Sequence, residues 1–342
     1  MNILGPLYIA EISANHLGSL ERARELVLAA IEAGANAIKL QTYTADTMTL
    51  NISSPNFRIS PEHPLWGNEK LYDLYKSAYT PWDWHEELFE ICKKSNVIGF
   101  STPFDLSAVE FLEKIGAPMY KISSMETGDL ELIRSVAKTG KPVIVSTGAT
   151  HWDEICELVK VVKDTGNKDL TLLLCTSAYP ADPVDTNLRR MQILREKFEV
   201  SVGISDHTLG IGVSVAAITL GASVIERHLT LSRADGGPDS AFSLEPDEFK
   251  QMVTEADKAS KALGNFEWTI SESESESRRI RRSLFIVEDV QKGDLISEFN
   301  VKPIRPGHGC LPKYLPQIIG KRFSDNFTKG TPMELDFAIQ DG

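Results

Sequence analysis

Residues 200–230 read VSVGISDHTLGIGVSVAAITLGASVIERHLT, and they decide the fold. The stretch opens on an apolar run that ends in Ser205, Asp206 and His207. It closes on a second run, starting at Ser223, that ends in Glu226 and His228. Starts at 200 and 223 leave room for one strand, one crossover helix and two short loops, the spacing of a parallel strand–helix–strand unit. Both runs turn polar at the same end.

The pattern recurs outward toward the N-terminus. LYIAEIS (from Leu7), AIKLQTY (Ala37), VIGFSTP (Val97), MYKISS (Met119), PVIVSTG (Pro142) and LTLLLCTS (Leu170) are further short apolar runs with polar exits. Between them lie segments of helical period; in LERARELVLAAIEAG, for example, Ala23, Leu26, Val27, Ala30 and Ile31 share one face. Gly34, Gly116, Gly140 and Gly166 stand where C-terminal helix caps are expected. Eight alternating units predict a closed (β/α)8 TIM barrel over residues 1–265 as the catalytic domain. An open doubly wound sheet would alternate similarly but would hold most of these polar exits too far apart to meet.

One spacing is longer, from Ala37 to Val97, and leaves an insertion from Ala45 to Thr80. It carries Phe57, Trp66, Tyr72, Tyr75 and Tyr79, with Trp82 and Trp84 following. Two forms are open: a rim loop that writes specificity, or a mini-domain packed on the barrel's side. After a last helix near Pro246 to Leu263, residues 266–282 include SESESES and an arginine cluster, which predicts a solvated linker. Residues 283–342 change to short strands and turns, a small domain of β type.

Lys plus Arg number 36 and Asp plus Glu 48, so the net charge of −12 excludes a general nucleic-acid binder. The four cysteines have no CxxC spacing, which fits neither a disulfide scaffold nor a thiolate zinc site and suits a reducing compartment. The first residues lack a secretory pattern, and the longest uncharged stretch, Leu209 to Ile225, is broken by glycines and serines. A cytoplasmic protein with no membrane partner is expected.

Lys39 and Lys121 sit inside apolar strands, where charge is costly without a partner. With the hydroxyls of Thr102, Ser124, Ser146 and Ser205 they predict an anion pocket; a Schiff-base lysine is the competing chemistry. His207 and His228 end neighbouring strands and predict a divalent metal site completed by water or substrate oxygens, with two acid–base histidines as the alternative. Glu11, Glu126, Glu226 and Asp239 stand at the same rim as salt-bridge partners or proton carriers. His63, His85 and His151 read as surface residues, and His16 as part of the rim.

Taken together, AEISANH, AIKLQTY, STPFD, YKISS, STGA, CTSAYP, GISDHTLG, ERHLT and GGPDSAFSLEP resemble the sialic acid synthase family, the phosphoenolpyruvate-dependent nonulosonic acid synthases. RSLFIVEDVQKGD, IRPGHG and GKR resemble that family's antifreeze-like (SAF, β-clip) domain, so the resemblance covers essentially the whole chain in order. It implies condensation of phosphoenolpyruvate with an N-acylated amino-sugar aldehyde, giving a nine-carbon 2-keto acid and phosphate. It further implies a divalent metal, manganese first with magnesium or cobalt as substitutes. A domain-swapped homodimer is implied as well, with each SAF domain over the partner's active site.

Carried over by residue, the resemblance puts phosphoenolpyruvate on Lys39, Thr102, Lys121, Ser124, Ser146 and Ser205, and the metal on His207 and His228. It puts the sugar on Gln41, Glu126, Tyr179, Asp239 and Arg305, and counts Glu11, Lys121, His207 and His228 as catalytic. Ser123-Ser124-Met125-Glu126 replaces the Gly-Ser-Gly-Glu of N-acetylneuraminate synthases, Ser177 replaces their Asn, and Ser240 replaces their His. LYDLYKSAYTPWDWH, GGPDSAFSLEP and RRSLFIVEDVQKGD look most like the pseudaminic branch of the family, whose sugar is a 2,4-diacetamido-2,4,6-trideoxy altrose. The neuraminate and legionaminate branches share the same chemistry. A carbohydrate-binding protein with an inactive barrel is the rival of another class, and the intact set of rim residues weighs against it.

Overall fold

A computed structural model describes residues 5–63 and 65–340. Contacts divide the chain into two compact units, Met1–Gly264 and Asn265–Gly342.

The first unit is a closed barrel of eight parallel strands in sequential order. They are β1 (Leu7–Glu11), β2 (Ala37–Thr42), β3 (Ile98–Pro103), β4 (Tyr120–Ile122), β5 (Val143–Ser146), β6 (Leu170–Cys175), β7 (Ser201–Ser205) and β8 (Val224–His228). Each begins at, or one residue after, the start of its apolar run. Helices follow the strands, from Leu20–Glu32 after β1 to Pro246–Ala262 after β8. Local chemistry sets their ends. Ser19, Asp105 and Asp129 accept from the backbone N–H groups of Arg22, Ala108 and Leu132. Gly34, Gly116, Gly140 and Gly166 take the left-handed backbone expected just past a helix, with φ of 95°, 76°, 71° and 84°.

Strand side chains alternate between two faces, and here the alternation builds two cores. Ile38, Leu40, Tyr120, Val143, Val145, Leu172, Ile204 and Ile225 point outward and pack with the helices. Leu7, Ile9, Ala37, Phe100, Met119, Ile144, Leu173 and Val224 fill the barrel's interior. Fully burying a side chain such as Ile9 or Phe100 contributes about 1.5–3 kcal/mol, so this plug supports the polar layer above it. One step further along the same inward rows the residues are Glu11, Lys39, Lys121, Ser146, Cys175, Ser205 and Glu226. The barrel therefore changes from hydrocarbon to charge within one strand repeat.

The insertion after β2 holds the helix Leu71–Ala78 and a loop closed by a bridge between Arg58 and Lys70. Trp66 ties that loop to the segment after β8, its Nε1 donating to the Pro238 carbonyl at 3.0 Å. Residues of the insertion itself take the rim form, and the tryptophans that follow it pack against the barrel's helices and first loop. Trp82 packs on Phe111 and Trp84 on His16, while Trp66 and Tyr75 turn to the barrel mouth.

In the second unit, Ser283–Ile286 pairs antiparallel with Val301–Ile304, and Arg322–Phe323 with Ala338–Ile339. Leu284, Ile286, Val290, Ile296, Val301, Ile318, Phe323 and Met333 form its core. At Gly309 of IRPGHG a side chain would start 2.2 Å from the Leu284 carbonyl oxygen, so only glycine fits. The SESESES run, expected as a solvated linker, is exposed and carries a helix, Glu272–Arg279. A capping box between Ser271 and Glu274 starts it, and an ion pair between Glu276 and Arg279 supports its last turn. Among the described residues no helix is long and apolar enough to cross a membrane.

Candidate active site

At the C-terminal mouth of the barrel lies a cavity of about 420 Å³. Lys39, Lys121, Ser124, Ser146 and Ser205 line it, as do Gln41, Glu126, Tyr179, His207, His228 and Asp239. Strand register explains the convergence. Glu11 stands opposite Lys39 on one side and His228 on the other, and Ser205 stands between Cys175 and Glu226. Two predicted residues lie beneath the cavity instead of on its surface. Glu11 is fully buried and ion-paired to Lys39, and Thr102 accepts a hydrogen bond from the Lys39 ammonium at 3.2 Å. Arg305 belongs to the second unit and is exposed.

The two lysines share one carboxylate. Glu226 lies 3.9 Å from each ammonium and accepts from the Ser205 hydroxyl at 3.0 Å. Burial raises the Glu226 carboxyl, but Lys121, Lys39 and Ser205 outweigh it and hold the group below its ordinary range. Burial, opposed by Glu226 and aided by Lys121, brings Lys39 down to about 8. Lys121 also donates to the Ile122 carbonyl at 3.0 Å. Ser146 points a buried hydroxyl into this layer with no protein hydrogen-bond partner, which leaves a donor for a ligand oxygen.

His207 and His228 face each other with ring centroids 5.3 Å apart, flanked by Phe242. Nδ1 of His207 donates to the Thr176 carbonyl at 3.1 Å, which leaves the Nε2 lone pair free to coordinate. Nδ1 of His228 lies 3.1 Å from the Ser13 hydroxyl. Burial and the nearby His207, Lys39 and Arg227 hold His228 well below its ordinary value, so it is a neutral imidazole. This donor set fits a divalent ion of borderline softness. Among the described residues no group of three or more His, Cys, Asp or Glu is placed to hold a metal, so other positions would fall to water or substrate oxygens.

Behind the imidazoles, the neighbours of both histidines form a second layer. Asp206 and Arg227 point outward from the barrel, fully enclosed, and pair at 2.6 Å. Asp206 also accepts from Thr208 and Ser214, and Arg227 donates to the Thr208 carbonyl.

Several site residues escaped the sequence analysis. Cys175 touches His207 at 3.9 Å; burial raises its thiol, but His207, Ser124 and Lys121 draw it down to about 7. Its inward register in β6 was the available signal. Tyr43, Phe104 and Phe242 supply aromatic walls. His63, expected at the surface, is half-buried at the cavity, where it stacks on Trp66 at 4.7 Å. His85 is fully buried, its Nε2 2.8 Å from the Thr42 hydroxyl, and burial lowers it to about 4. A helix-start position placed it at the base of the crossover, facing inward. His16 is equally buried, bound to Thr80 and Trp84, and is not among the residues lining the cavity.

A closed barrel whose mouth gathers two buried lysines, an unpartnered hydroxyl and two facing imidazoles has the residues of an enzyme active site. Known proteins agree with that class. Residues 26–267 match the NeuB family and residues 281–336 the SAF domain. A pseudaminic acid synthase of Campylobacter jejuni is 44% identical over 330 residues, covering 96% of each chain. One from Helicobacter pylori is 43% identical over 332 residues, covering 97% of each. The crystal structure of an N-acetylneuraminic acid synthetase from Leptospira borgpetersenii superposes with a TM-score of 0.71 at 33% identity, covering 80% of this chain and 90% of that one. The chain belongs to the NeuB family.

Proposed function

We propose that the protein condenses phosphoenolpyruvate with 2,4-diacetamido-2,4,6-trideoxy-L-altrose, giving the nine-carbon 2-keto acid pseudaminate and inorganic phosphate. The observation that carries this reading is Lys39 and Lys121, buried and joined through Glu226 beside the paired imidazoles. Its support on the substrate is the 44% identity to a pseudaminic acid synthase, against 33% to the neuraminic acid synthetase.

In this mechanism Lys39 and Lys121 hold the anionic groups of phosphoenolpyruvate, Ser124 and Ser146 donate to its oxygens, and Ser205 lines the same pocket while its hydroxyl holds Glu226. That leaves its C3 turned toward the imidazoles. Gln41, Glu126, Tyr179 and Asp239 hold the open-chain sugar so that its aldehyde carbon meets C3. The new carbon–carbon bond forms from the enol π electrons, C2 becomes electron-poor, and water adds there. The tetrahedral species then loses phosphate by C–O cleavage. His207 and His228 would hold a divalent ion, manganese in this reading, which when bound polarises a carbonyl oxygen. The ring of Tyr179 packs on His207 at 4.6 Å and on Phe242 at 4.9 Å, forming an aromatic wall at this end of the cavity.

The active unit in this reading is a domain-swapped homodimer in the cytoplasm, Arg305 of each chain completing the partner's sugar site. Phe266 and Trp268, fully exposed in the single chain, supply apolar surface for such an association.

The test is phosphate release and product mass with phosphoenolpyruvate and three amino sugars: N-acetylmannosamine and the pseudaminate and legionaminate precursors. The diacetamido altrose should give the largest kcat/KM. Lys121→Ala and His207→Ala should each lower kcat/KM by about 100-fold or more, as loss of a group that stabilises developing charge does. Normal turnover in either variant overturns the assignment. A borohydride-trapped lysine adduct would instead favour Schiff-base chemistry on pyruvate.

A further inference from the structure

The cavity has two chemically different ends. Strand residues supply the ions and hydroxyls, nearly all buried. The insertion supplies Met48, Ile59, Leu71, Leu74 and Ala78 to the same cavity. Leu71, Leu74 and Ala78 lie at i, i+3 and i+7, so a single stripe of the helix Leu71–Ala78 faces inward. Two polar atoms beside this wall are committed elsewhere. Trp66 Nε1 donates to the Pro238 carbonyl, and His63 Nδ1 accepts from the backbone N–H groups of Leu65 and Trp66. A hydroxyl pressed against Met48, Ile59, Leu71, Leu74 and Ala78 would lose water and find no hydrogen-bond partner on those five side chains, whereas a methyl needs none.

We propose that Met48, Ile59, Leu71, Leu74 and Ala78 form the element that selects a sugar deoxygenated at its far carbon. This rests on the condensation reading above, which sets the aldehyde carbon beside the imidazoles. The opposite end of the open chain then points outward, to the wall that the insertion builds. The aliphatic wall receives the C6 methyl, and the polar strand ends receive the reacting carbons.

The experiment uses the full-length, manganese-loaded protein with phosphoenolpyruvate and two sugars: the 2,4-diacetamido-2,4,6-trideoxy altrose and its 6-hydroxy counterpart. The native protein should prefer the 6-deoxy sugar by roughly 10- to 100-fold in kcat/KM, the discrimination an apolar pocket reaches against one added hydroxyl. Leu71→Gln and Ile59→Gln should each cut that ratio by about fivefold or more, because each adds a partner for the hydroxyl. Leu71→Met, which conserves volume and polarity, should keep it. For a variant too slow to turn over, calorimetric binding of the two sugars gives the same ratio. A native ratio near one, or a ratio unmoved by both glutamine variants while phosphate is still released, overturns the proposal. No phosphate from either sugar overturns the condensation reading itself, a different and distinguishable failure.

Discussion

Lys39 is buried between Glu11 and Thr102 at the floor of the cavity, with Glu226 3.9 Å away. Burial is the largest influence on its ammonium and lowers it to about 8. A lysine with that value is charged at pH 7 and mostly neutral at pH 9. An anion binds the charged form, so affinity for phosphoenolpyruvate is full below about pH 8 and falls as pH rises through it. Above that point the KM for phosphoenolpyruvate should climb by up to about tenfold per pH unit, the slope for loss of one proton. Lys39→Arg, which stays charged throughout, should flatten this limb even if it raises KM overall. Steady-state kinetics between about pH 6.5 and pH 9.5 decide the matter. A native KM flat across that range would remove Lys39 from the anion pocket.

Among the elements, the strands and their inward rows were legible because a period of two and a polar exit are local properties. Reading every second residue of LYIAE, AIKLQ and VIERH already places Glu11, Lys39, Glu226 and His228 on one face, and the register agrees. Depth was not legible. Whether Glu11 lines the cavity or sits beneath it depends on how far each strand slides past its neighbour, which no single run encodes. The fate of His63 and His85 was hidden for another reason: both lie outside the strands, and tertiary packing decided it. What the alternation also exposes is the outward pair behind the metal-binding candidates, Asp206 on β7's exit and Arg227 on β8, joined at 2.6 Å with neither side chain exposed. Removing one partner of such a pair leaves a buried charge uncompensated and costs about 3–5 kcal/mol. Arg227→Met should therefore lower the urea midpoint clearly. It should also weaken manganese binding measured by calorimetry, because His207 and His228 flank the broken pair. An unchanged midpoint would show that water or a rearranged partner already satisfies Asp206.

At the scale of the whole molecule, the exchange proposed above would set Arg305 of one chain at the sugar site of another. The barrel supplies every group proposed for phosphoenolpyruvate and the metal, whereas Arg305 belongs to the unit Asn265–Gly342. If the exchange proposed above holds, a chain carrying Arg305→Ala has a sound barrel and a defective tail, and one carrying His207→Ala has the reverse. Each homodimer should be nearly inactive with the diacetamido sugar. Co-expressed in equal amounts, half of the dimers are mixed, and in each mixed dimer one sound barrel meets one sound tail. A two-fold exchange therefore predicts recovery of about a quarter of native activity. If each tail instead served its own barrel, no site in the mixture would be intact and activity would stay at the level of the single variants. Phosphate release from the mixed preparation, normalised to a dimer mass established by light scattering, separates the two arrangements. Recovery to about a quarter supports exchange, its absence places Arg305 on its own chain's barrel, and an Arg305→Ala homodimer that is itself active places Arg305 outside the reaction.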